Sequence, residues 1–198
     1  KISQKIQLIK GKALNIERNL IKQKMYALNL CKKVLDENNK NKKENLKISD
    51  IFKLKKGFVG IKKAQPGPYP LVTTSKERLS HKEFQFNGEA ILIPMVSSTG
   101  HGHASINRIH YEKGKFAVGS ILCALLPIDI KKTFTRFYYY FLSYYKDELL
   151  VKKMKGSANV SLTQKSLSDI NIPYFDFHSQ KKLEKIFKKN HALLDSIE

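Results

Sequence analysis

Two apolar stripes at helical spacing, one at each end of the chain, constrain its fold more than any other feature. Near the start, apolar residues recur at spacings of four and three for nearly five heptads, which is typical of a coiled-coil seam. A shorter stripe of the same kind closes the chain. The first helix would reach roughly 50 Å at 1.5 Å per residue, longer than a compact domain needs for its own core. The sequence therefore predicts a globular region held between two long helices.

We expect the two stripes to bury against each other as an antiparallel coiled coil, with Gln23 and Asn190 as polar members that help to fix its register. The alternative is that each helix packs on the globular region or on another protein. A polar run over 36–43 ends the first helix and is typical of a solvated linker. The predicted seam consists of Ile2, Ile6, Ile9, Ile16, Leu20, Leu30, Leu183, Ile186, Leu193 and Ile197.

The region between the helices carries the signals of a β-rich domain. Leu46–Phe58 predicts a helical turn followed by a Lys-rich segment, and the three prolines of Gln65–Pro70 argue against regular structure there. Thr133–Lys155 predicts one helix whose aromatic stripe belongs to the core. We predict an α+β fold with a mainly antiparallel sheet or barrel. The predicted strands are Leu71–Thr74, Ala90–Met95, His103–Tyr111, Phe116–Val118 and Ile121–Leu126.

The charge of the chain favours a polyanionic partner. With 37 basic and 17 acidic residues, the net charge is +20, and the excess lies in residues 1–47 (+9) and 48–172 (+10) and hardly in 173–198 (+1). Such a surplus indicates nucleic acid more than a membrane surface. Because only four of the basic residues are Arg, a Lys-rich composition inherited from an AT-rich genome is the competing explanation.

Cysteine usage and hydropathy suggest a soluble protein of a reducing cytoplasm. The two cysteines, Cys31 and Cys123, are far apart in sequence and form no disulfide framework or metal pattern. No run of 18 apolar residues exists, and the first residues lack the apolar region of a signal peptide. The chain begins without Met, which suggests processing or excision from something longer.

Common catalytic motifs are missing, which argues against an enzyme. The sequence has no phosphate-binding Gly-Lys-Thr loop, no dinucleotide-type glycine triplet, no Gly-x-Ser-x-Gly elbow and no His-Glu-x-x-His. His101 and His103 could bind a metal with His110 or His81, but no acidic or Cys companion lies nearby, so we predict no metal site. The glycine-bounded loop that carries them is as well suited to phosphates or base edges, or is an ordinary turn.

Hydroxyl, amide and basic side chains cluster in the loops of the globular region. Lys and hydroxyl groups suit phosphates, whereas Arg, Asn and Gln can recognise base edges through paired hydrogen bonds. Each one alone is more often a solvated surface residue, but together on one face they would form a DNA footprint. The predicted DNA-binding residues are Lys62, Lys63, Gln65, Thr73, Thr74, Ser75, Lys76, Arg78, Ser98, His101, His103, Asn107 and Arg108.

The order of motifs along the whole chain resembles the specificity (S) subunit of type I restriction–modification systems. The resemblance corresponds to one target recognition domain, residues 46–172, between a spacer helix over 1–40 and another over 178–198. Members often have Gly-Ser-Ala-Gln-Pro where this chain has Asn159-Val160 after Gly156-Ser157-Ala158. The motifs are Gly57, Pro66–Pro70, Ile91–Gly100, Gly119–Leu122, Tyr138–Leu142, Gly156–Asn159, Ile170–Pro173 and Gln180-Lys181.

The resemblance implies a non-catalytic DNA-specificity subunit that recognises one half of a bipartite site and docks the methylation (M) and restriction (R) subunits. S-adenosylmethionine, ATP and magnesium would be used by those partners, with no cofactor in this chain. A homodimer or a second recognition domain could pair through the helices. Gly156–Thr163 would join the aromatic helix to a final strand and shape the lower edge of the domain rather than contact bases.

Two other functions stay open at this point. The chain could be the recognition domain of a single-chain type II restriction enzyme and methyltransferase, which a methyltransferase motif upstream in the full gene would favour. It could also be a coiled-coil interaction protein whose charge is compositional. In that case DNA binding would be absent or independent of salt.

Overall fold

The computed structural model describes residues 2–40, 46–99 and 102–195. Two short 3₁₀ turns, Ile61–Lys63 and Val151–Lys153, accompany the helices and strands. In chain order the helices and strands are α1 (Ile2–Lys40), α2 (Ile48–Ile51), β1 (Phe52–Lys56), β2 (Tyr69–Val72), β3 (Leu79–His81), β4 (Phe86–Pro94), β5 (His110–Val118), β6 (Leu122–Pro127), α3 (Thr135–Tyr144), α4 (Lys146–Leu149), α5 (Gln164–Ser168) and α6 (Phe177–Asp195).

Six strands form one sheet in the order β1-β6-β4-β5-β2-β3. Strand β2 runs parallel to β5, and the other pairs in the described sheet run antiparallel. The α+β class predicted from the sequence is confirmed, and the sheet is mixed because of the β2–β5 pair.

The central strand β4 faces a hydrophobic cluster on each side. Ile91 and Ile93 belong to the larger cluster, which includes helical residues, whereas Ala90 and Leu92 belong to a smaller one. This division follows from the alternation of side chains along a strand. Because all four residues are fully buried, the strand appears in the sequence as a continuous apolar run.

Helix α3 supplies an aromatic layer that connects the sheet to α6. The Phe137 ring stacks on Phe187 of α6 at 6.2 Å between centroids, and Tyr138 meets Phe52 of β1 edge-on at 5.6 Å. The Tyr138 hydroxyl donates to the Pro173 carbonyl at 3.2 Å. These aromatic side chains are almost fully buried, so the predicted core role of the aromatic stripe is confirmed.

Helices α1 and α6 both pack against α3. Lys24 of α1 lies 4.2 Å from the centroid of the Tyr144 ring, and the Tyr144 hydroxyl donates to the Phe187 carbonyl of α6 at 3.3 Å. Further along α1, the Leu28 carbonyl accepts a hydrogen bond at 3.0 Å from the hydroxyl of Tyr145, the residue directly after α3. Helix α3 therefore lies against both terminal helices.

The predicted seam residues differ in burial. Ile6, Ile9 and Ile16 are 48, 66 and 61% exposed, so the first half of α1 presents an open apolar face. Leu183 is buried, and Leu20, Leu30 and Ile186 are half-buried. The side chains of Ile2, Leu193 and Ile197 lie outside the described part of the chain. The coiled coil stays a prediction.

The two polar residues of the predicted seam have different surroundings. Gln23 is exposed, whereas Asn190 is buried and donates from Nδ2 to the Ile186 carbonyl of its own helix at 2.9 Å. Both lie in the described part of the chain, and no hydrogen bond joins them. The hypothesis that they fix the register together is therefore wrong.

Several predicted boundaries are also wrong. The strand predicted over His103–Tyr111 begins only at His110, because serine hydroxyls bind the backbone of the preceding loop. Tyr69 and Pro70 lie in β2 despite the neighbouring prolines, since a proline is tolerated near the start of a strand. Helix α1 continues to Lys40, inside the predicted linker, and residues 41–43 lie outside the described residues.

The helix predicted over Thr133–Lys155 is interrupted. Helix α3 ends at Tyr144, and the chain continues as α4 and the second 3₁₀ turn. The apolar pattern conceals this break because Leu149 and Leu150 still face the large cluster. Strands β1 and β3 and helix α5 are further elements that the sequence analysis missed. Asn171 forms only an isolated bridge with Lys47 where a final strand was predicted.

We predict that neither cysteine reacts with a thiol reagent in the folded protein. Cys31 and Cys123 are 0 and 1% exposed, and burial raises the pKa of their thiols to about 12 and about 11. At pH 8 the thiolate is therefore scarce and shielded. Ellman titration should give no fast signal in buffer and two thiols in guanidinium chloride. A rapid signal from the native protein would contradict this packing.

Candidate nucleic-acid interface

Strand β5 contacts both β2 and the segment between β2 and β3. At its end, Val118 pairs with Val72 of β2, whereas near its start Glu112 accepts a hydrogen bond from Arg78 of the following segment. Gly88 and Gly114 lie opposite each other in the β4–β5 ladder and have φ values of 141° and 93°. These are conformations that favour glycine, so any other residue at either position would be strained.

Arg78 is held by three groups of the protein. Its Nε donates to Glu112 Oε2 at 2.7 Å, and its Nη1 donates to the Lys76 carbonyl at 3.1 Å. The same Nη1 lies 3.2 Å from Nδ1 of His110. The Arg78 and Glu112 side chains are only 29 and 19% exposed, so this ion pair is better shielded than an ordinary surface pair.

His110 is neutral in this environment. Burial, and after it the charges of Arg78 and Arg108, lower its pKa to about 4, and the nearby Thr74 backbone partly opposes this shift. Because the Arg78 guanidinium can only donate, Nδ1 of His110 must be the acceptor and Nε2 must carry the proton. Nε2 is buried and has no hydrogen-bond partner among the described residues.

A groove of about 430 Å³ lies beside this cluster, and we call it the basic groove. Four of the predicted DNA-binding residues line it together: Lys76, Arg78, Asn107 and Arg108. They come from two different loops, one between β2 and β3 and one directly before β5. The opposite wall comes from α3, α4 and α6 and includes Tyr139, Ser143, Tyr144, Lys146 and His191.

The basic groove combines positive charge with aromatic surface. Lys76 is exposed, Arg108 is half-buried, and Lys146 lies 3.0 Å from the exposed carboxylate of Asp147. Lys24 adds a further cation beside the Tyr144 ring. Such a combination suits the phosphates and base edges of a nucleic acid.

The other predicted residues lie elsewhere or have structural roles. Lys62 and Lys63 are exposed on the first 3₁₀ turn, and Lys63 and Gln65 line a separate concavity of about 250 Å³ beside the exposed Phe58. Thr73 is 2% exposed, and its hydroxyl accepts from the Ser75 backbone at 3.3 Å. Thr73 cannot reach DNA from that position, so this candidate is withdrawn.

The loop before β5 is braced by its own hydroxyl groups. Ser98 Oγ accepts from the Asn107 backbone N–H at 3.0 Å, and Ser97 Oγ accepts from that of Ser105 at 3.0 Å. His103 is exposed and its carbonyl accepts from Ser97 and Thr99. His101 lies outside the described residues. Among the residues described, no group of three His, Cys, Asp or Glu side chains could hold a metal ion.

The Gly156–Thr163 segment contacts the backbone of this loop. The Ser97 N–H donates to the Val160 carbonyl at 2.9 Å, and a side chain at Gly102 would collide with the Ser157 carbonyl. The segment also turns on itself at Gly156, where φ is 131°. Its contacts are those of a brace for the loop, and they agree with the predicted role at the edge of the domain.

Neither Glu112 nor the aromatic wall of the basic groove is among the residues predicted from the sequence, and His110 was considered only as a possible metal ligand. Glu112 and His110 lie two residues apart on β5, and both contact Arg78. Sequence spacing does not indicate that these strand residues meet a residue of the segment between β2 and β3. Tyr139 and Tyr144 belong neither to the predicted aromatic stripe nor to the predicted DNA-binding residues, and both are half-buried.

A family model described as type I restriction modification DNA specificity domain matches residues 39–198. The chain belongs to this family. Specificity domains are DNA-recognition components, as the resemblance of the motifs implied. No curated protein sequence matches the chain.

Solved structures of S subunits share the fold. The S subunit of a type I restriction–modification system from M. genitalium has a TM-score of 0.57 and 19% identity, over 71% of this chain and 37% of that one. The HsdS subunit from Thermoanaerobacter tengcongensis has a TM-score of 0.53 and 14% identity, over 98% of this chain and 50% of that one. This specificity domain thus spans about half or less of those subunits.

A third solved structure comes from work on complex assembly and conformational transition of the type I R-M system. Its TM-score is 0.52 at 11% identity, over 99% of this chain and 52% of that one. No helix in the described part of the specificity domain is long and apolar enough to cross a membrane.

We predict that Gly156→Ala destabilises the specificity domain by roughly 1–3 kcal/mol. A Cβ there would lie 2.4 Å from the Asn159 carbonyl oxygen, at a φ that side chains rarely adopt. Gly60→Ala is the matched control, because its Cβ would meet nothing closer than 3.9 Å. Urea unfolding should separate the two variants, and equal stabilities would contradict the proposed turn.

We predict that His110 makes the specificity domain less stable as pH falls from 6.5 toward 4. In that window the unfolded chain binds a proton at His110 that the folded protein excludes, so the free energy of unfolding decreases, by about 2–3 kcal/mol in total. His110→Gln should flatten this part of the curve in urea unfolding between pH 4 and 7.5. His178→Gln, at an exposed histidine, should leave the curve unchanged.

Proposed function

We propose that this chain is the DNA-specificity subunit, or half of one, of a type I restriction–modification system. It would recognise one half of a bipartite DNA site and dock the methylation and restriction subunits. The observation that carries the proposal is the basic groove, in which Lys76, Arg78, Asn107 and Arg108 converge within a domain of the specificity family.

The dimensions of the basic groove support contact with one edge of a duplex. A space of about 430 Å³ is too small for a double helix but large enough for a phosphate or the edge of a base. Lys76 and Lys146 would hold the backbone, and Asn107 and Arg108 would face the bases. The separate surface at Lys62, Lys63 and Gln65 would extend the backbone contacts.

The sequence described here spans one recognition domain, which suits the recognition of half a site. The chain spans 37–52% of the S subunits that it resembles in structure. The open apolar face at Ile6, Ile9 and Ile16 calls for a partner, since exposed contiguous apolar surface marks interaction sites. We propose that a second recognition domain or a methylation subunit covers it and that the helices set the spacing between half-sites.

The chemistry of methylation and cleavage would reside in the partner subunits. S-adenosylmethionine, ATP and magnesium would be bound there, while this chain supplies sequence recognition. The buried free thiols suit a reducing cytoplasm.

We expect deletion of the gene to abolish methylation at one split DNA motif across the genome. Complementation with the native gene should restore the motif, whereas Lys76→Ala should restore it only weakly, because a phosphate contact is lost. Lys152→Ala, at an exposed lysine outside the basic groove, is the matched control. Long-read sequencing that detects modified bases measures the outcome.

Three results would contradict the proposal. An unchanged methylation pattern after deletion would remove the restriction–modification role. A lost motif that is continuous, together with a methyltransferase in the same gene, would favour a single-chain type II enzyme. DNA binding that does not weaken with salt would favour an interaction protein, since each lost phosphate contact should change the salt slope by about one.

A further inference from the structure

The two arginines of the basic groove differ in their protein partners. Three of the five donors of Arg78 are occupied, by Glu112, the Lys76 carbonyl and His110. Arg108 has no hydrogen bond or ion pair with any described residue, although it lines the same groove. Arg78 therefore has two N–H donors left for a ligand, whereas Arg108 has all five.

The occupied donors of Arg78 exclude the usual contact with guanine. Paired recognition of guanine O6 and N7 uses N–H groups from two nitrogens along one edge of the guanidinium. In Arg78, Nε donates to a carboxylate and Nη1 has two acceptors, which leaves Nη2 alone. Each edge of Arg78 thus has at least one donor already used.

The hydrogen bonds that hold Arg78 would be costly to break. Glu112 compensates its charge at 2.7 Å, and His110 is neutral, so its Nδ1 can accept. Releasing Arg78 toward DNA would leave a shielded carboxylate without its partner, which is costly. Arg78 also bonds the Lys76 carbonyl and so fixes the backbone of the residue that we assign to a phosphate.

Arg108 combines a free side chain with a fixed backbone. Its neighbours Ile106 and Ile109 are 1 and 4% exposed, and the Asn107 N–H is bound to Ser98 Oγ. The main chain is therefore anchored on both sides of Arg108. All five of its donors are available, and the carboxylate that neutralises Arg78 is not shared with it.

The remaining arginines do not compete for this role. Arg136 lies 5.0 Å from the centroid of the Tyr111 ring and 4.0 Å from the Glu184 carboxylate. Arg18 lies on α1, outside the groove. Of the four arginines in the chain, only Arg108 both lines the basic groove and has a guanidinium without a hydrogen bond or ion pair to a described residue.

We propose that Arg108 is the residue that selects a guanine in the recognised half-site, and that Arg78, held by Glu112, is a positioning residue that shapes the groove. This inference rests on the proposed DNA-recognition function. It predicts that the loss of Arg108 and the loss of Arg78 affect DNA binding differently, although both are arginines of the basic groove.

The test uses the native complex, purified from cells through a tag on this chain, and a pool of randomised DNA duplexes. Bound duplexes are sequenced for the native chain and for Arg108→Ala, Arg108→Lys and Arg78→Ala. We expect Arg108→Ala to reduce the preference for G at one position by about tenfold to a hundredfold. Arg78→Ala should weaken binding to all sequences by a similar factor and leave the base preferences unchanged.

Each outcome is decisive. If the native complex selects no motif, the proposed function fails and this inference fails with it. If the native complex selects a motif and Arg108→Ala keeps every base preference, the inference alone is overturned. The same holds if Arg78→Ala is the variant that loses a preference for G. Arg108→Lys keeps the charge, so binding to unselected duplexes should be preserved while the G preference falls, and a loss of both would also contradict it.

Discussion

The aromatic layer of α3 is the interaction on which the rest of the structure depends. Phe137 and Tyr138 connect the sheet with α6, and the Tyr145 hydroxyl bonds the Leu28 carbonyl of α1 at 3.0 Å. A single helix therefore fixes both terminal helices relative to the sheet. Loss of its rings would weaken the packing between the sheet and both terminal helices, because each buried aromatic ring contributes on the order of 1.5–3 kcal/mol to stability.

The same helix also builds the basic groove. The buried face of α3 holds it in place, and its half-buried rings, Tyr139 and Tyr144, form the wall opposite Arg108. Core packing of α3 thus positions one wall of the groove. This connects the stability of the domain to the geometry available for DNA.

The sequence predicted the chemistry of the groove better than its geometry. Lys76, Arg78, Asn107 and Arg108 were chosen by residue type, and the structure brings these four together. Their separation into a clamped and a free arginine could not be predicted, because it depends on contacts of Arg78 with Glu112 and His110, which are more than 30 residues away in sequence. Likewise, the helical stripe predicted α1 and α6, but periodicity alone could not indicate that Ile9 is exposed while Ala27 is buried.

The scarcity of arginine gives the high charge of the chain a physical interpretation. Most of its 37 basic residues are lysines, which attract any DNA through phosphates and add little sequence information. Non-specific attraction of that kind does not distinguish the site from the rest of a genome. Specificity must then come from the few groups whose backbone is fixed and whose donors are free, and in the basic groove Arg108 meets both conditions.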